Sequence, residues 1–392
     1  MKNKIKKIFI IFISIIFSGC KGYYDITNYN IISGIYVDIT KDNKIMVSCE
    51  NIASVTSSEG NETTPKTTIS TFLGDSIYHA FRKGALSSHG KKNFYPSIRV
   101  VILSKEYAER GIEEAVDFFI RDPKRRNNAY FIISDKKDYN LFNKKNTDID
   151  ITSDEIFGII KQTKLSGYGV DTKLYEFIKE ANSNSGVGIL NVFALKPTTE
   201  AENISENKGG KDSSADLQIL GTGVLYKYKL LGLLDINETL AVNIIRDKIH
   251  EGVYVLQDEN PKNKITVKLR DPKVTLMPEV TDGNHVINVD IKSTSEIVEY
   301  SNEESLKTID LIALENRISK ELNRKILKTF DKAKKEFKVD IFNFGGAFER
   351  KYPQISKLTP EEWNKIFVDN LSINLNTKLT VTDTNSTSEK IQ

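Results

Sequence analysis

The chain has 392 residues, and its 56 basic residues nearly balance its 53 acidic ones, for a formal net charge of +3. A balance this even gives no reason to expect a nucleic acid as partner. Apolar residues make up 39% and charged residues 28% of the chain, which suits folded domains with a soluble surface. Two cysteines without a CxxC pair and four histidines without an HExxH motif argue against a disulfide framework or a metal, and no cofactor is predicted.

The first twenty residues have the pattern of a secretory signal. Four lysines within the first seven residues precede an apolar run from Ile8 to Phe17. That run is too short for a membrane span, which needs about 20 apolar residues. It ends in Ser18-Gly19-Cys20, which resembles a bacterial lipobox, although Phe17 stands where leucine is more usual. We therefore predict a lipoprotein signal peptide over residues 1–19 and a lipid on Cys20 that tethers the chain to a membrane. The alternatives are an uncleaved anchor and a buried strand with a core cysteine.

Residues 28–55 read as two strands, "YNIISGIYVDI" and "IMVSCENIASV", joined by the turn "TKDNK". Residues 55–68 are polar and predict a loop. The following stretch predicts a helix, because apolar side chains recur at helical spacing: Leu73, Ile77, Ala80 and Phe81.

A buried strand, a helix and a second buried strand follow. "SIRVVILS" predicts the first strand, Ser104 is placed to cap a helix that Pro123 ends, and "AYFIISD" predicts the second strand. Residues 150–195 look helical and finish in the strand "GVGILNVFAL". Since strands alternate with helices here, we predict an N-terminal α/β domain over residues 20–197, followed by a polar linker over residues 198–216.

The second half predicts more strands and one long helix. "LQILGTGVLYKYKLLGLLD" reads as two strands around a tight turn, and a helix from Asn237 with Glu238 in its first turn completes a middle domain over residues 217–262. A C-terminal α+β domain over residues 263–382 and a polar tail over residues 383–392 follow. Its amphipathic helix, on the order of 45 Å long, has apolar residues every three to four positions: Leu314, Ile318, Leu322, Ile326, Phe330, Ala333 and Phe337. The fold class is thus α/β (α+β), with three domains of mixed sheets packed with helices.

No catalytic constellation emerges from the sequence. The chain lacks a GxGxxG or phosphate-loop motif and a GxSxG nucleophile elbow. An anchored hydrolase would need scattered acids to converge, and the best candidates are Glu238, Asp340 and Glu349. An anchored solute-binding lipoprotein would instead need a two-lobed cleft.

One basic cluster is more specific. In "FIRDPKRRNNAY", a helix end is followed by a proline and by several cations, among them Arg121 and Arg126. Three interpretations remain open: a solvated helix end whose cations interact favourably with the helix dipole, a buried or interfacial arginine that pairs with Asp122 or with a partner, or a patch facing anionic lipid headgroups.

Three segments in order along the chain carry a resemblance to a known family. They are the start with "YYDITNYNIISGIYVDIT" and "IRDPKRRNNAY", the middle "GTGVLYKYKLLGLLDINET", and the end "DIFNFGGAFERKYPQISKLTPEEWNKIF". Together they resemble the Ger(x)C family, the C-subunit lipoproteins of bacterial spore germinant receptors. The tryptophan that commonly follows the lipid cysteine is absent, and Tyr23 and Tyr24 lie near that place.

The resemblance implies a non-catalytic, three-domain lipoprotein on the outer leaflet of the spore inner membrane, working with A and B subunits in nutrient sensing. The matching residues in the last segment include Phe344, Gly345, Arg350 and Trp363. Because glycines permit tight turns and aromatic and arginine side chains are enriched in interfaces, we expect this segment at a domain or subunit junction, with Glu238 a further interface candidate. The alternative is an intradomain turn after the long helix.

Overall fold

The structure is a computed structural model, and it describes residues 29–56, 63–87, 91–121, 128–135, 141–142, 151–197, 215–257, 264–301 and 311–383. Several of the sequence predictions lie outside the described residues. These are the signal peptide and Cys20, the cation Arg126, most of the linker, and residues 384–392 of the tail.

The described chain contains thirteen strands and nine α-helices. The strands are β1 (Tyr29–Ile39), β2 (Ile45–Thr56), β3 (Thr63–Gly74), β4 (Lys92–Phe94), β5 (Val100–Ser104), β6 (Tyr130–Ser134), β7 (Val187–Pro197), β8 (Ala215–Tyr226), β9 (Lys229–Leu234), β10 (Glu251–Gln257), β11 (Lys264–Thr281), β12 (Asn284–Ser301) and β13 (Leu371–Asp383). The helices are α1 (Ile77–Ser87), α2 (Lys105–Arg110), α3 (Glu113–Arg121), α4 (Thr152–Ser166), α5 (Leu174–Ala181), α6 (Ile236–Ile245), α7 (Leu311–Lys332), α8 (Phe344–Lys351) and α9 (Pro360–Asp369).

The larger sheet has the strand order β3-β2-β1-β5-β6-β7-β8-β9, with β4 paired to β1. Its centre, β1-β5-β6-β7, is parallel, and the flanking strands on both sides are antiparallel. Every residue of β5 and β6 is buried, as expected for parallel strands covered by helices on both faces. This arrangement confirms the predicted α/β layer.

The smaller sheet has the order β10-β11-β12-β13, and α7 packs against it. Strands β12 and β13 are parallel, so the chain between them must cross over, and α7, α8 and α9 form that crossover. All seven apolar positions predicted on the long helix are buried, which confirms its inward face. The last two lie in a π-helical turn, Ala333–Phe337, which Lys338 ends in the left-handed region at φ 58°.

Two local predictions were wrong. The polar stretch predicted as a loop contains the start of β3, which also includes Leu73. Threonine and isoleucine favour strands, and an edge strand that faces solvent need not show a strong apolar pattern. The helix predicted after Ser104 is broken into α2 and α3 at Gly111, whose φ is 130°. Ser104 does cap α2, because its Oγ accepts from the backbone N–H of Tyr107 at 3.1 Å.

The range predicted as a middle domain contributes to both sheets. Strands β8 and β9 extend the larger sheet, and β10 opens the smaller one. Side chains of the two sheets also share one hydrophobic core: Val187 and Val224 of the larger sheet belong to the same cluster as Val267 and Val289 of the smaller. The two sheets therefore meet over a continuous apolar contact.

No helix among the described residues combines the length and apolar character needed to cross a bilayer. Cys49 is buried in β2, and burial raises the pKa of its thiol far above the usual value.

Candidate functional site at the junction of the two sheets

The residues after the long helix converge on the carboxylate of Asp340, which is fully buried. Three N–H groups donate to it: the backbone of Phe342 at 3.1 Å, the backbone of Gly345 at 2.8 Å and the indole Nε1 of Trp363 at 3.0 Å. Burial raises the pKa of this carboxyl group, and the three donors oppose the shift. The carboxylate therefore orders the chain between α7 and α8 and fixes α9 beside it.

Helix α9 presents Trp363 because its start is well capped. Thr359 accepts at 3.3 Å from the backbone N–H of Glu362, and the Glu362 carboxylate accepts at 2.8 Å from the backbone N–H of Thr359. Pro360 occupies the first turn. One turn on, Trp363 is completely buried, with its ring 5.3 Å from that of Phe348 and 6.5 Å from that of His285. The capping motif thus positions the indole N–H over Asp340.

The segment "FGGAFERK", whose glycines were expected to form tight turns, is instead helix α8, and the inner face of this helix is aromatic. Phe344 and Phe348 are fully buried, and Phe344 stacks on Phe342 with ring centroids 5.2 Å apart. The chain enters the helix through Asn343 in the left-handed region, at φ 59°. A Cβ on Gly345 would lie 2.7 Å from Nε1 of Trp363. Glycine is therefore needed where α8 and α9 approach each other.

Asn364, next to the tryptophan, connects this cluster to the larger sheet. Its Oδ1 accepts from the backbone N–H of Asp340 at 2.9 Å, and its Nδ2 donates to the carbonyl of Ser185 at 2.9 Å. Ser185 lies in the loop between α5 and β7. The neighbouring Asn184 donates to Oε2 of Glu349 on α8 at 3.0 Å. The C-terminal segment is therefore hydrogen-bonded across the junction at two adjacent loop residues.

A third contact closes the outer side of the junction. The hydroxyl of Tyr226 donates to Oε1 of Glu361 at 2.8 Å, and Lys227 forms an ion pair with the same carboxylate. These two partners lower the pKa of Glu361 to about 2, and burial with the Glu361 contact raises the pKa of Tyr226 to about 12. The turn between β8 and β9 is thereby attached to α9.

A cleft of about 570 Å³ opens on another side of the junction, between α5, the end of α6, β11 and the start of α8. Its walls carry both signs of charge, including Lys179, Glu180, Arg246 and Arg350. Arg246 is the best enclosed, with its side chain 6% exposed, and its Nη2 lies 3.1 Å from Oε2 of Glu180. Lys248 Nζ lies 3.4 Å from Oε1 of the same carboxylate. A second cavity of about 410 Å³ adjoins the cleft and shares this pair.

The structure brings together some of the residues predicted from sequence and separates others. Phe344, Gly345 and Trp363 meet around Asp340, and Arg350 lines the cleft. Glu238 lies elsewhere, because its carboxylate accepts from the backbone N–H of Asp235 and pairs with Lys332 at 2.7 Å, joining α6 to α7.

Arg121 stands at the exposed end of α3, where its Nε donates to Asp117 at 2.6 Å and 78% of its side chain is accessible to solvent. Asn364, Ser185 and the Glu180–Arg246 pair were not foreseen. The only sequence signal for Asn364 is its position beside the tryptophan, and the others lie in segments without a motif.

The described residues contain no group of three or more histidine, cysteine, aspartate or glutamate side chains arranged to hold a metal ion. The three acids that a hydrolase would require are each engaged separately: Glu238 with Lys332, Asp340 with Trp363, and Glu349 with Asn184.

Comparison with known proteins places this architecture in a family. Residues 22–195 match the family described as "Spore germination protein N-terminal domain", and residues 220–385 match "Spore germination B3/GerAC like, C-terminal". The chain belongs to the Ger(x)C family. The resemblance found in the sequence is thereby confirmed, and the family is one of germination-receptor C-subunit-like proteins involved in spore germination.

Individual Ger(x)C proteins align over almost the whole chain. Spore germination protein KC of Bacillus subtilis (strain 168) is 24% identical, with 92% of this chain and 91% of the relative covered. Spore germination protein B3 of the same organism is 22% identical, with 94% of each chain covered. The crystal structure of the GerBC protein superposes with a TM-score of 0.52 and 18% identity, over 89% of this chain and 96% of that one, which shows a shared fold.

Proposed function

We propose that this chain is the lipid-anchored, non-catalytic C subunit of a nutrient germinant receptor. The observation that carries the proposal is that both halves of the chain match spore germination families, with an N-terminus that resembles a lipobox in front of them. In this proposal, lipid on Cys20 holds the protein on the outer leaflet of the spore inner membrane. Its partners there are the A and B subunits of the receptor.

The non-catalytic part of the proposal rests on the acids. General acid–base chemistry needs two or more titratable groups that converge on a space where a substrate can bind. The fully buried carboxylate of Asp340 accepts hydrogen bonds from three N–H donors. Glu238 pairs with Lys332 and Glu349 with Asn184, at two other places in the structure. These carboxylates support the packing of the chain, which favours a subunit over an anchored hydrolase.

The anchor is tested by Cys20→Ala. We expect the variant to leave the spore membrane fraction and germination with nutrients to be impaired, because a single thiol carries the lipid chains that hold the protein at the bilayer. Cys49→Ala is the matched control, since it removes the other cysteine at a buried position and leaves the anchor intact. Normal membrane retention of Cys20→Ala would contradict the lipid anchor.

We further propose that the exposed end of α8 contributes to contact with another subunit. Phe344, Gly345 and Phe348 pack inside the chain, whereas Arg350 is exposed beside the cleft, where a partner's carboxylate can reach it. Co-purification from spore membranes tests this, with Arg350→Ala compared with Lys357→Ala, another exposed cation nearby. We expect A and B subunits to be lost with the first variant only; unchanged assembly and germination of Arg350→Ala would refute the contact.

A second candidate is a solute-binding lipoprotein, and one observation favours it. The cleft of about 570 Å³ is lined by α5, the end of α6, β11 and α8 and carries both cations and carboxylates, which suits a small charged solute. Calorimetric titration of the protein with amino acids and sugars tests it. Binding that Arg246→Met abolishes would support this candidate, and the absence of binding heat across both ligand classes would count against it.

A further inference from the structure

Three lysines lie directly opposite one another on neighbouring strands of the smaller sheet. Lys273 on β11 is the register partner of Lys292 on β12, and Lys292 is the register partner of Lys378 on β13. Directly opposite residues project from the same face of a sheet, and strands are about 4.8 Å apart. The three side chains, here called the lysine row, therefore start in a line about 10 Å long on the solvent face, and all three are exposed.

Within the described residues, no carboxylate forms an ion pair with the lysine row. The bordering acids have other partners: Glu296 pairs with Arg270, the Asp290 carboxylate accepts from the amide of Asn376 at 3.0 Å, and the Asp271 carboxylate lies 3.6 Å from His250. Like charges directly opposite each other destabilise a sheet. In the part of the chain that the structure describes, three adjacent cations are thus held together without a salt bridge to any of them.

The surface around the lysine row is a shallow depression of about 490 Å³. Besides the row it is lined by Arg270, Asp271, Ser293, Thr294 and Thr380. The two threonines lie opposite each other two positions further along β12 and β13. Strand β11 has a bulge between Arg270 and Lys273, which bends the strand beside the depression. Three ammonium groups and two hydroxyls can all donate hydrogen bonds to anionic oxygens.

We propose that the lysine row binds phosphate groups, as a site for a ligand with at least two of them. Lysine binds phosphate as a point charge, and a ligand with several phosphates would neutralise neighbouring ammonium groups at once. The site goes beyond the proposed receptor role and does not depend on it. The phosphates come either from a free phosphate compound or from lipid headgroups, and the two sources are separated by experiment.

Helix α7, in the same part of the molecule, carries basic residues that alternate with acidic ones. Exposed lysines on this helix and the turn after it, Lys320, Lys328 and Lys335, are interleaved with carboxylates, and Lys335 Nζ lies 3.9 Å from Asp331. Glu321 next to Lys320 pairs with Arg324. Replacing these three lysines removes the same charge from exposed positions without touching the lysine row, which gives a matched control.

The first experiment is calorimetric titration of the purified full chain in detergent with inorganic tripolyphosphate. We expect binding that weakens at least tenfold when Lys273, Lys292 and Lys378 are all changed to glutamine, and that falls as salt is raised. Changing Lys320, Lys328 and Lys335 to glutamine should alter the affinity less than twofold. Equal losses in the two triple variants would show a non-specific charge effect and overturn the proposal.

The second experiment separates the sources of phosphate. The full chain carrying Cys20→Ala is floated with vesicles of phosphatidylcholine alone and with vesicles that also contain phosphatidylglycerol. Flotation with the anionic vesicles that requires the lysine row assigns the site to lipid headgroups. Row-dependent binding of tripolyphosphate without such flotation assigns it to a free phosphate compound. Failure of both the titration and the flotation overturns the proposal.

A measurement of stability guards against variants that fail to fold. Lys292→Gln removes the middle charge and should raise the unfolding midpoint at low salt by about 1–4 °C, because both neighbours lose a like charge. Tripolyphosphate should raise the midpoint of the unmodified chain and leave that of the triple glutamine variant of the row unchanged. A lowered midpoint in Lys292→Gln would contradict the repulsion on which the site is argued.

Discussion

Gly345 and Trp363 are in such close contact that there is no room for a side chain between them. A Cβ placed on Gly345 would lie 2.7 Å from Nε1 and 2.9 Å from Cε2 of the indole, and the same indole N–H donates to Asp340 at 3.0 Å. The same indole therefore sets both the close approach of α8 to α9 and the hydrogen bond to the buried carboxylate, so a change in one contact must disturb the other.

This contact predicts that alanine substitutions at two adjacent glycines change the free energy of unfolding in opposite directions. Gly345→Ala should destabilise the protein by about 1–3 kcal/mol, because the helix or the indole must shift to admit the methyl group. Gly346→Ala is the control, since its nearest neighbours are side-chain atoms of Asn343 at 3.2 Å. Alanine there favours the helix by about 1 kcal/mol. Denaturant unfolding measures both. Equal free energies of unfolding for the two variants would contradict the packing argument.

Asp340→Asn tests the carboxylate itself. The amide keeps one acceptor oxygen but turns the other position into a donor, so at least one of the three N–H groups loses its partner in a buried place. We expect a loss of about 1–3 kcal/mol in the free energy of unfolding. Asp331 is exposed, and Asp331→Asn should change that free energy by less than about 0.5 kcal/mol. An Asp340→Asn protein as stable as the parent chain would mean that these hydrogen bonds contribute little.

The Glu180–Arg246 pair predicts that the stability of the fold depends strongly on Arg246, the enclosed cation. Arg246→Met leaves Glu180 with Lys248 alone, and the Glu180 side chain is only 14% exposed. An inadequately paired carboxylate in that position should cost about 2–4 kcal/mol of stability. The Lys248 side chain is 47% exposed, so Lys248→Met should cost less than about 1 kcal/mol. Thermal unfolding of each variant against the parent chain measures the two losses of stability. A larger loss for Lys248→Met than for Arg246→Met would refute the claim that Arg246 is the main partner of Glu180.

His285 predicts a dependence of stability on pH. Burial lowers the pKa of its imidazole, which packs against Phe348 and Trp363, while a backbone contact at Gly283 opposes the shift. Below about pH 6.5 the unfolded chain takes up a proton at this histidine more readily than the folded chain, so acidification should lower the free energy of unfolding.

We therefore expect His285→Gln to weaken the change in stability between about pH 7 and pH 5. His250→Gln is the control, because it replaces a histidine whose side chain is 70% exposed. Unfolding midpoints measured over this pH interval decide the question. Unchanged slopes in His285→Gln would remove His285 from the explanation.

Features set by local periodicity were predictable from the sequence. The seven apolar positions of the long helix recur with the period of a helix, and Ser104 stands directly before a helical stretch, so both could be read from neighbouring residues alone. Strand β3 was not predicted, because it lacks such a local pattern. An edge strand rich in threonine has neither strong alternation nor a continuous apolar run, and its polar composition resembles that of a loop.

The junction could not be predicted because its contacts join residues far apart in the chain. Asn364 and Ser185 are separated by 179 positions, and nothing near either residue indicates the other. The same holds for the strand order, in which β8 and β9 extend the sheet that also contains β1. Family resemblance did point to Gly345 and Trp363, but only the structure shows that they enclose Asp340.

The continuation of the larger sheet through β8 and β9 determines where the protein can be shortened. The N-terminal family match stops at residue 195, yet the outer edge of β7 is covered by β8 from Val187 to Pro197. A recombinant fragment ending there would present an open row of backbone donors and acceptors, which invites self-association through strand pairing. A fragment that keeps the native edge of this sheet should extend at least to Leu234, the last residue of the edge strand β9.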